Sequence, residues 1–141
     1  YDRGMRSHKG HINSQIKLGE IYDKGLGVEQ SYSEAIEWFK LAANQGNPEA
    51  QAKMGFIYGN AHGVEVDFDE SLRWYLMAAA QDFPAALANL GFMFDHGLGV
   101  PEDSQKALMY YRKAAKKGDK NARQNRDLIE ARIAKQQSDQ N

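Results

Sequence analysis

Apolar positions in this chain fall three or four residues apart, the spacing of one helix face, and nowhere alternate with polar ones for the length of a strand. In "NPEAQAKMGFIYGN" the residues Ala50, Met54, Ile57 and Tyr58 form one such stripe. Pro48 suits its first turn, where the missing N–H would be unpaired anyway. In "DFDESLRWYLMAAAQ" the stripe runs through Leu72, Tyr75 or Leu76, and Ala79. Asp67 with Glu70 has the spacing of a capping box, Ser31 with Glu34 repeats it, and Asp103 can cap a third helix. Gly46 and Gly118 fit the left-handed residue that ends many helices, and Asp82 holds that place between them. The pattern predicts helical hairpins, each an A helix and a B helix joined by a loop.

The hairpin recurs. "LGEIYDKGLGV" from Leu18 returns as "MGFIYGNAHGV" from Met54 and "LGFMFDHGLGV" from Leu90, so Gly19, Gly55 and Gly91 are 36 residues apart. The register extends to Trp38, Trp74 and Tyr110, to Phe39, Tyr75 and Tyr111, and to the alanine pairs at 42/43, 78/79 and 114/115. A constant period of this size marks a stacked array whose units bury their apolar faces against their neighbours. Glycine inside helix A costs ~1 kcal/mol against alanine. Close approach to the paired alanines of helix B is the expected compensation, and inter-unit packing is the expected role of Trp38, Trp74 and Tyr110. The Gly-x-Gly at Gly25/Gly27 and Gly97/Gly99 follows a helix rather than a strand and lacks a third glycine. It therefore reads as a turn needing positive φ and not as a dinucleotide cradle. Val28, Val64 and Val100 are expected to tuck each loop onto the core.

With these positions in place, "EAQAKMGFIYGNAHGVEVDFDESLRWYLMAAAQDFPAA" resembles the Sel1-like repeat, a relative of the tetratricopeptide repeat with a longer inter-helix loop. "LGEIYDKGLGVEQSYSEAIEWFKLAANQGNPEA" and "LGFMFDHGLGVPEDSQKALMYYRKAAKKGDKNA" are similar to the same family. The resemblance implies an all-α fold, a right-handed α-solenoid of helix-turn-helix repeats lined on its concave side by the A helices. It also implies an adaptor or scaffold role, frequently in bacterial envelope, secretion or signalling assemblies. The expected organisation is a remnant of a preceding helix or a linker at 1–10, repeats at 11–46, 47–82 and 83–118, a capping helix at 119–135 and a disordered tail at 136–141. In the cap, Asp127 stands where the glycine belongs.

If tetratricopeptide-like packing carries over, helix A turns Lys17, Glu20, Asp23 and Lys24 outward in the first repeat. The second repeat presents Lys53, Phe56 and Asn60, and the third Asn89, Phe92, Asp95 and His96. Asn121, Asn125 and Leu128 extend the surface. Phe56 and Phe92 are equivalent, and a phenylalanine on such a face serves either as an anchor for a docked peptide or helix or as packing against the next A helix. Glu20, Asp23 and Lys24 are expected to be free for a partner.

Composition narrows the function. A net charge of −1 argues against a chain-wide nucleic-acid or membrane-surface role. The charge is uneven, however. From Lys106 onward there are ten Lys/Arg against four Asp/Glu, leaving eight against fifteen before it. No cysteine is present, so disulfides, thiolate metal sites and a Cys nucleophile are excluded. His8 with His11, His62 and His96 do not assemble a metal site, no serine sits in a nucleophile elbow, and threonine is absent. Carboxylate pairs such as Glu34 with Glu37 fall at helix starts, where capping and the macrodipole account for them. The chain begins with Tyr1 and reads as an excised or processed product. The function expected is a non-enzymatic protein–protein interaction module that binds a protein or peptide in the A-helix groove, with no cofactor, no membrane insertion and no indicated self-association. The alternative is a regulatory or immunity-type partner that inhibits or positions an enzyme. Carbohydrate binding or catalysis would need a concave cluster of carboxylates or exposed aromatics that the sequence does not assemble.

Overall fold

The computed structural model describes residues 2–141, with side chains from His11 onward. The backbone of 2–10, the stretch read as a remnant or linker, is helical and continuous with the first A helix, while Tyr1 and the side chains of 2–10, His8 included, lie outside the described residues. Seven helices follow one another: α1 (Asp2–Lys24), α2 (Tyr32–Asn44), α3 (Pro48–Gly59), α4 (Phe68–Ala79), α5 (Pro84–His96), α6 (Ser104–Lys116) and α7 (Lys120–Asp139). There is no strand among the described residues. The chain forms two compact units, Tyr1–Ala78 and Ala79–Asn141. Each has its own apolar core, one around Phe39, Met54 and Trp74, the other around Leu87, Tyr111 and Ile129.

The start signals are used, though not reciprocally. Ser31, Asp67 and Asp103 each accept the N–H of the residue three positions on, at 3.2, 3.1 and 3.0 Å. Their own backbone N–H groups do not receive the side chain a capping box would supply. They donate to the carbonyls of Tyr22, Tyr58 and Phe94 in the preceding A helix, at 2.9, 2.9 and 2.8 Å. A second bond closes each loop at its other end, from Leu26, His62 and Leu98 to the carbonyls of Ile21, Ile57 and Met93. The loop is thus stitched to helix A at both ends, in the same way in all three repeats.

The loop glycines are explained by backbone geometry. Gly25 and Gly97 both sit at φ +66°, and in the middle repeat Ala61 adopts φ 56° at the same place. Asp82 likewise adopts φ 58° where Gly46 and Gly118 have φ 93° and 99°. Gly63 combines φ +84° with close approach, since a Cβ there would stand 2.4 Å from Tyr32 Cβ. Val64 packs on the first core and Val100 on the second, as expected. Val28 does not: it is 40% exposed. The second loop rests on Tyr32 of α2, whereas a Cβ at Gly27, the equivalent position of the first loop, would meet nothing within 4 Å.

Helix A glycines meet aromatic rings and not alanines. A Cβ on Gly19, Gly55 or Gly91 would lie within 2.6–2.8 Å of the nearest ring carbon of Phe39, Tyr75 or Tyr111. The alanine expectation is corrected for a steric reason. A flat ring needs more room than a methyl group, and only a missing side chain supplies it. The α4 stripe is corrected too, to Ser71, Trp74, Tyr75 and Ala78, while Leu76 is exposed. Ser71 Oγ donates to the Gly55 carbonyl at 2.6 Å, a bond available because that backbone is uncovered. Trp74 belongs to the core of the first unit, whereas Tyr110 stacks on Phe94 of its own repeat at 5.7 Å. Finally, α7 runs to Asp139, through most of the segment expected to be disordered. Gln and Lys are good helix formers and every side chain there is exposed, so the helix continues without tertiary support.

In an open helix, Gly→Ala stabilises by ~1 kcal/mol. Gly91→Ala is expected instead to destabilise by about 1–2 kcal/mol net, because the Tyr111 ring must move out of its slot; urea unfolding of the two proteins checks the sign.

Burial raises the phenol pKa of Tyr75, and burial followed by the Asp95 carboxylate pushes that of Tyr111 up to about 12. Tyrosines of the unfolded chain titrate near pH 10. The stability gained from keeping these phenols neutral is full below about pH 10 and is lost as pH rises toward the folded values. Melting temperature should therefore fall above about pH 10. Tyr75→Phe with Tyr111→Phe should flatten that fall, since Phe39 already occupies the equivalent place.

Candidate protein-interaction surface

The outward side of each A helix is set by the burial of its opposite side. In α3, Ala50, Met54 and Ile57 are buried, which leaves Lys53, Phe56 and Asn60 facing away from the core. In α5, burial of Ala86, Leu90 and Met93 does the same for Asn89, Phe92 and His96. Phe56 is 45% and Phe92 47% exposed, so neither ring is enclosed by its own unit.

Within the first unit the Phe56 ring meets His62 edge-on, with centroids 5.2 Å apart, and His62 lies against Tyr32 at 4.8 Å. His62 Nδ1 is 3.7 Å from Asp23, and Lys53 Nζ is 3.3 Å from Glu20. The expectation that Glu20 and Asp23 stand free is corrected, because each meets a side chain of the following repeat. Lys17 and Lys24 are exposed. Asn60 turns its amide back to the Phe56 carbonyl at 2.9 Å, which leaves its oxygen outward.

Within the second unit Phe92 stacks on His96 at 4.1 Å, and His96 Nδ1 donates to the Phe92 carbonyl at 3.0 Å. Asn89 donates to the Ala85 carbonyl. Asp95 is mostly covered and accepts from Arg132 of α7 at 2.6 Å, while the same guanidinium reaches Ser104 Oγ at 3.3 Å. Of the positions expected to extend the surface, Asn121 and Leu128 are exposed and Asn125 is half-buried.

His62 and Arg132 were missed by sequence reasoning, and the register contains a signal for each. His62 stands where the other repeats have Leu26 and Leu98, and Arg132 continues the series Lys24, Asn60, His96 by one more period. Among the described residues no three His, Asp or Glu converge as metal ligands, and no helix is long and apolar enough to cross a membrane.

The Sel1 repeat family model matches residues 12–47, 48–83 and 84–119. The chain belongs to the Sel1 repeat family. Among solved structures, this Sel1 repeat chain is similar to a Sel1 repeat protein from Oxalobacter formigenes, with 36% identity, a TM-score of 0.76 and coverage of 89% of this chain and 95% of that one. It is also similar to a protective antigen present in uropathogenic Escherichia coli strains and displaying this repeat fold, at 35% identity and TM-score 0.78. That match covers 82% of this chain but only 25% of the antigen. Helicobacter pylori cysteine rich protein B shares the fold at 18% identity and TM-score 0.63, over 84% of this chain and 90% of that one. No curated protein matches the chain significantly.

Arg132 ties α7 to α5 and to the start of α6, so Arg132→Ala takes from a mostly covered carboxylate its short hydrogen bond and leaves only the His96 ring at 3.8 Å beside it. The expected cost is about 1–2 kcal/mol. Amide exchange should rise in α7 before it rises in α5 or α6.

Proposed function

We infer that this Sel1 repeat protein is a non-enzymatic interaction module that holds a partner protein or peptide on the outward faces of its A helices. The observation that carries this reading is the pair Phe56 and Phe92. They are equivalent residues of successive repeats, each nearly half exposed and each backed by a histidine ring. A soluble domain gains nothing from repeating an exposed phenylalanine at one register position, whereas an apolar anchor ringed by polar groups is what a docking surface needs. Lys17, Glu20, Asp23, Lys24, Lys53 and Asn60 supply the polar surround in the first unit, and Asn89, Asp95 and His96 in the second. The Lys53–Glu20 ion pair and the contact of His62 with Asp23 hold that surround in fixed geometry and limit the ordering cost of binding. Sel1 repeats generally serve as protein-interaction modules, which agrees with the reading.

The double variant Phe56→Ala/Phe92→Ala should lose partner capture in affinity purification from the source cell, while circular dichroism and melting stay close to those of the parent. A large loss of stability would show that the rings belong to the core and would sink the proposal.

A further inference from the structure

The uneven charge of the sequence takes a definite shape in the second unit. Between α6 and α7 runs an open groove with a cavity volume of about 950 Å³. From α6 it is lined by Met109, Arg112, Lys113 and Lys116, a single stripe at helical spacing. From α7 it is lined by Arg123, Arg126 and Glu130, which make a second stripe. Glu130 is already engaged by Arg112 at 2.8 Å and approached by Arg126 at 3.8 Å. Among the described residues, Lys113, Lys116 and Arg123 have no carboxylate within ion-pair distance.

The register says what kind of position this is. Arg123, Arg126, Asp127 and Glu130 follow Leu87, Leu90, Gly91 and Phe94 by one period. In α5 those residues form the side that receives helix B, with Leu87, Leu90 and Gly91 buried and Tyr111 seated on the glycine. In α7 the same side has exchanged its apolar residues for charge and keeps the shape of a helix-receiving groove. A cap must only be wettable, which charges of either sign achieve. Five cations face one lining carboxylate, Glu130, and Asp127 beside the groove takes only Arg126, at 3.0 Å, so the positive surplus exceeds that need.

We propose that the α6–α7 groove is a second docking site, which takes a short acidic amphipathic helix from a partner protein. The occupant would set glutamates against the two basic stripes and a small apolar residue against half-exposed Met109. Gln105 also lines the groove, so its wall runs from Gln105 to Lys116, about 18 Å or three helical turns. A long polyanion fits less well, because the rest of the same unit, residues 79–105, has Asp82, Asp95, Glu102 and Asp103 and no Lys or Arg to continue a track for a phosphate backbone. This site goes beyond the Phe56/Phe92 surface and shares no residue with it. On α7, Leu128 and Arg132 are each two residues from Arg126 or Glu130 and so point away from the groove.

The probe is a fluorescein-labelled peptide of about 16 residues, with glutamates three and four apart and alanine or leucine between them. Its binding to the full chain is followed by fluorescence anisotropy. Saturable binding is expected, weakening several-fold between about 50 and 200 mM salt. It should weaken about tenfold in Lys113→Glu/Lys116→Glu, and by less in Lys113→Gln/Lys116→Gln, which guards against misfolding of the reversed variant. The Phe56→Ala/Phe92→Ala variant should bind the probe unchanged, so failure of that surface and failure of this groove are separable. The proposal is overturned if the peptide shows no saturable binding, if charge reversal leaves binding intact, or if the phenylalanine variant loses it. Tighter binding of single-stranded DNA or phosphatidylserine vesicles, with the same sensitivity to reversal, would overturn it as well.

Discussion

An aromatic ring lying on a position with no side chain sets the geometry of this protein. Phe39, Tyr75 and Tyr111 press onto Gly19, Gly55 and Gly91 so closely that a single methyl group would collide with them. That contact fixes how near helix B stands to helix A in each hairpin. It also leaves the Gly55 carbonyl open to Ser71 and buries the phenols of Tyr75 and Tyr111 enough to shift their ionisation. With the ring on one side of A and Ala50, Met54 and Ile57 or their equivalents buried on the next, the remaining side is turned to solvent. The exposed positions of Phe56 and Phe92 are thus a geometric consequence of where the glycines sit.

The period was legible because it is carried by residues with few substitutes: glycine under a ring, alanine in a crowded core, a polar cap at a helix start. Even the exceptions kept the backbone, as Ala61 and Asp82 show by adopting the left-handed conformation of the glycines they replace. What could not be read was the direction in which a side chain spends its polar groups. Glu20 and Asp23 looked unengaged because their partners, Lys53 and His62, lie in the next repeat at separations that no helical spacing encodes. The glycines were assigned to alanine contacts because position in a repeat says which residues recur, not which recurring residues touch. Val28 was expected to behave as Val64 does, but what holds a loop down is the helix beneath it and not the valine alone.

The third repeat and α7 show how such an array changes character. The side of helix A that is Leu87, Leu90 and Gly91 in α5 becomes Arg123, Arg126 and Asp127 in α7. Burying those guanidinium groups under another apolar helix would cost more than the packing returns. Arg132 fastens the outer side of α7 through Asp95 and Ser104, and Arg112 fastens the inner side through Glu130. The helix is held chiefly by buried Ala122 and Ile129 and by polar contacts, unlike the aromatic seating of the hairpins before it.

The loop between A and B is stitched at both ends to its own A helix, by Leu26 to Ile21 and Ser31 to Tyr22 and by the equivalent bonds in the later repeats. Adding or deleting one residue there would break a backbone bond and displace a cap together. In this chain the three loops accordingly have one length, and the number of hairpins is the dimension along which it could be lengthened or shortened without orphaning a hydrogen bond.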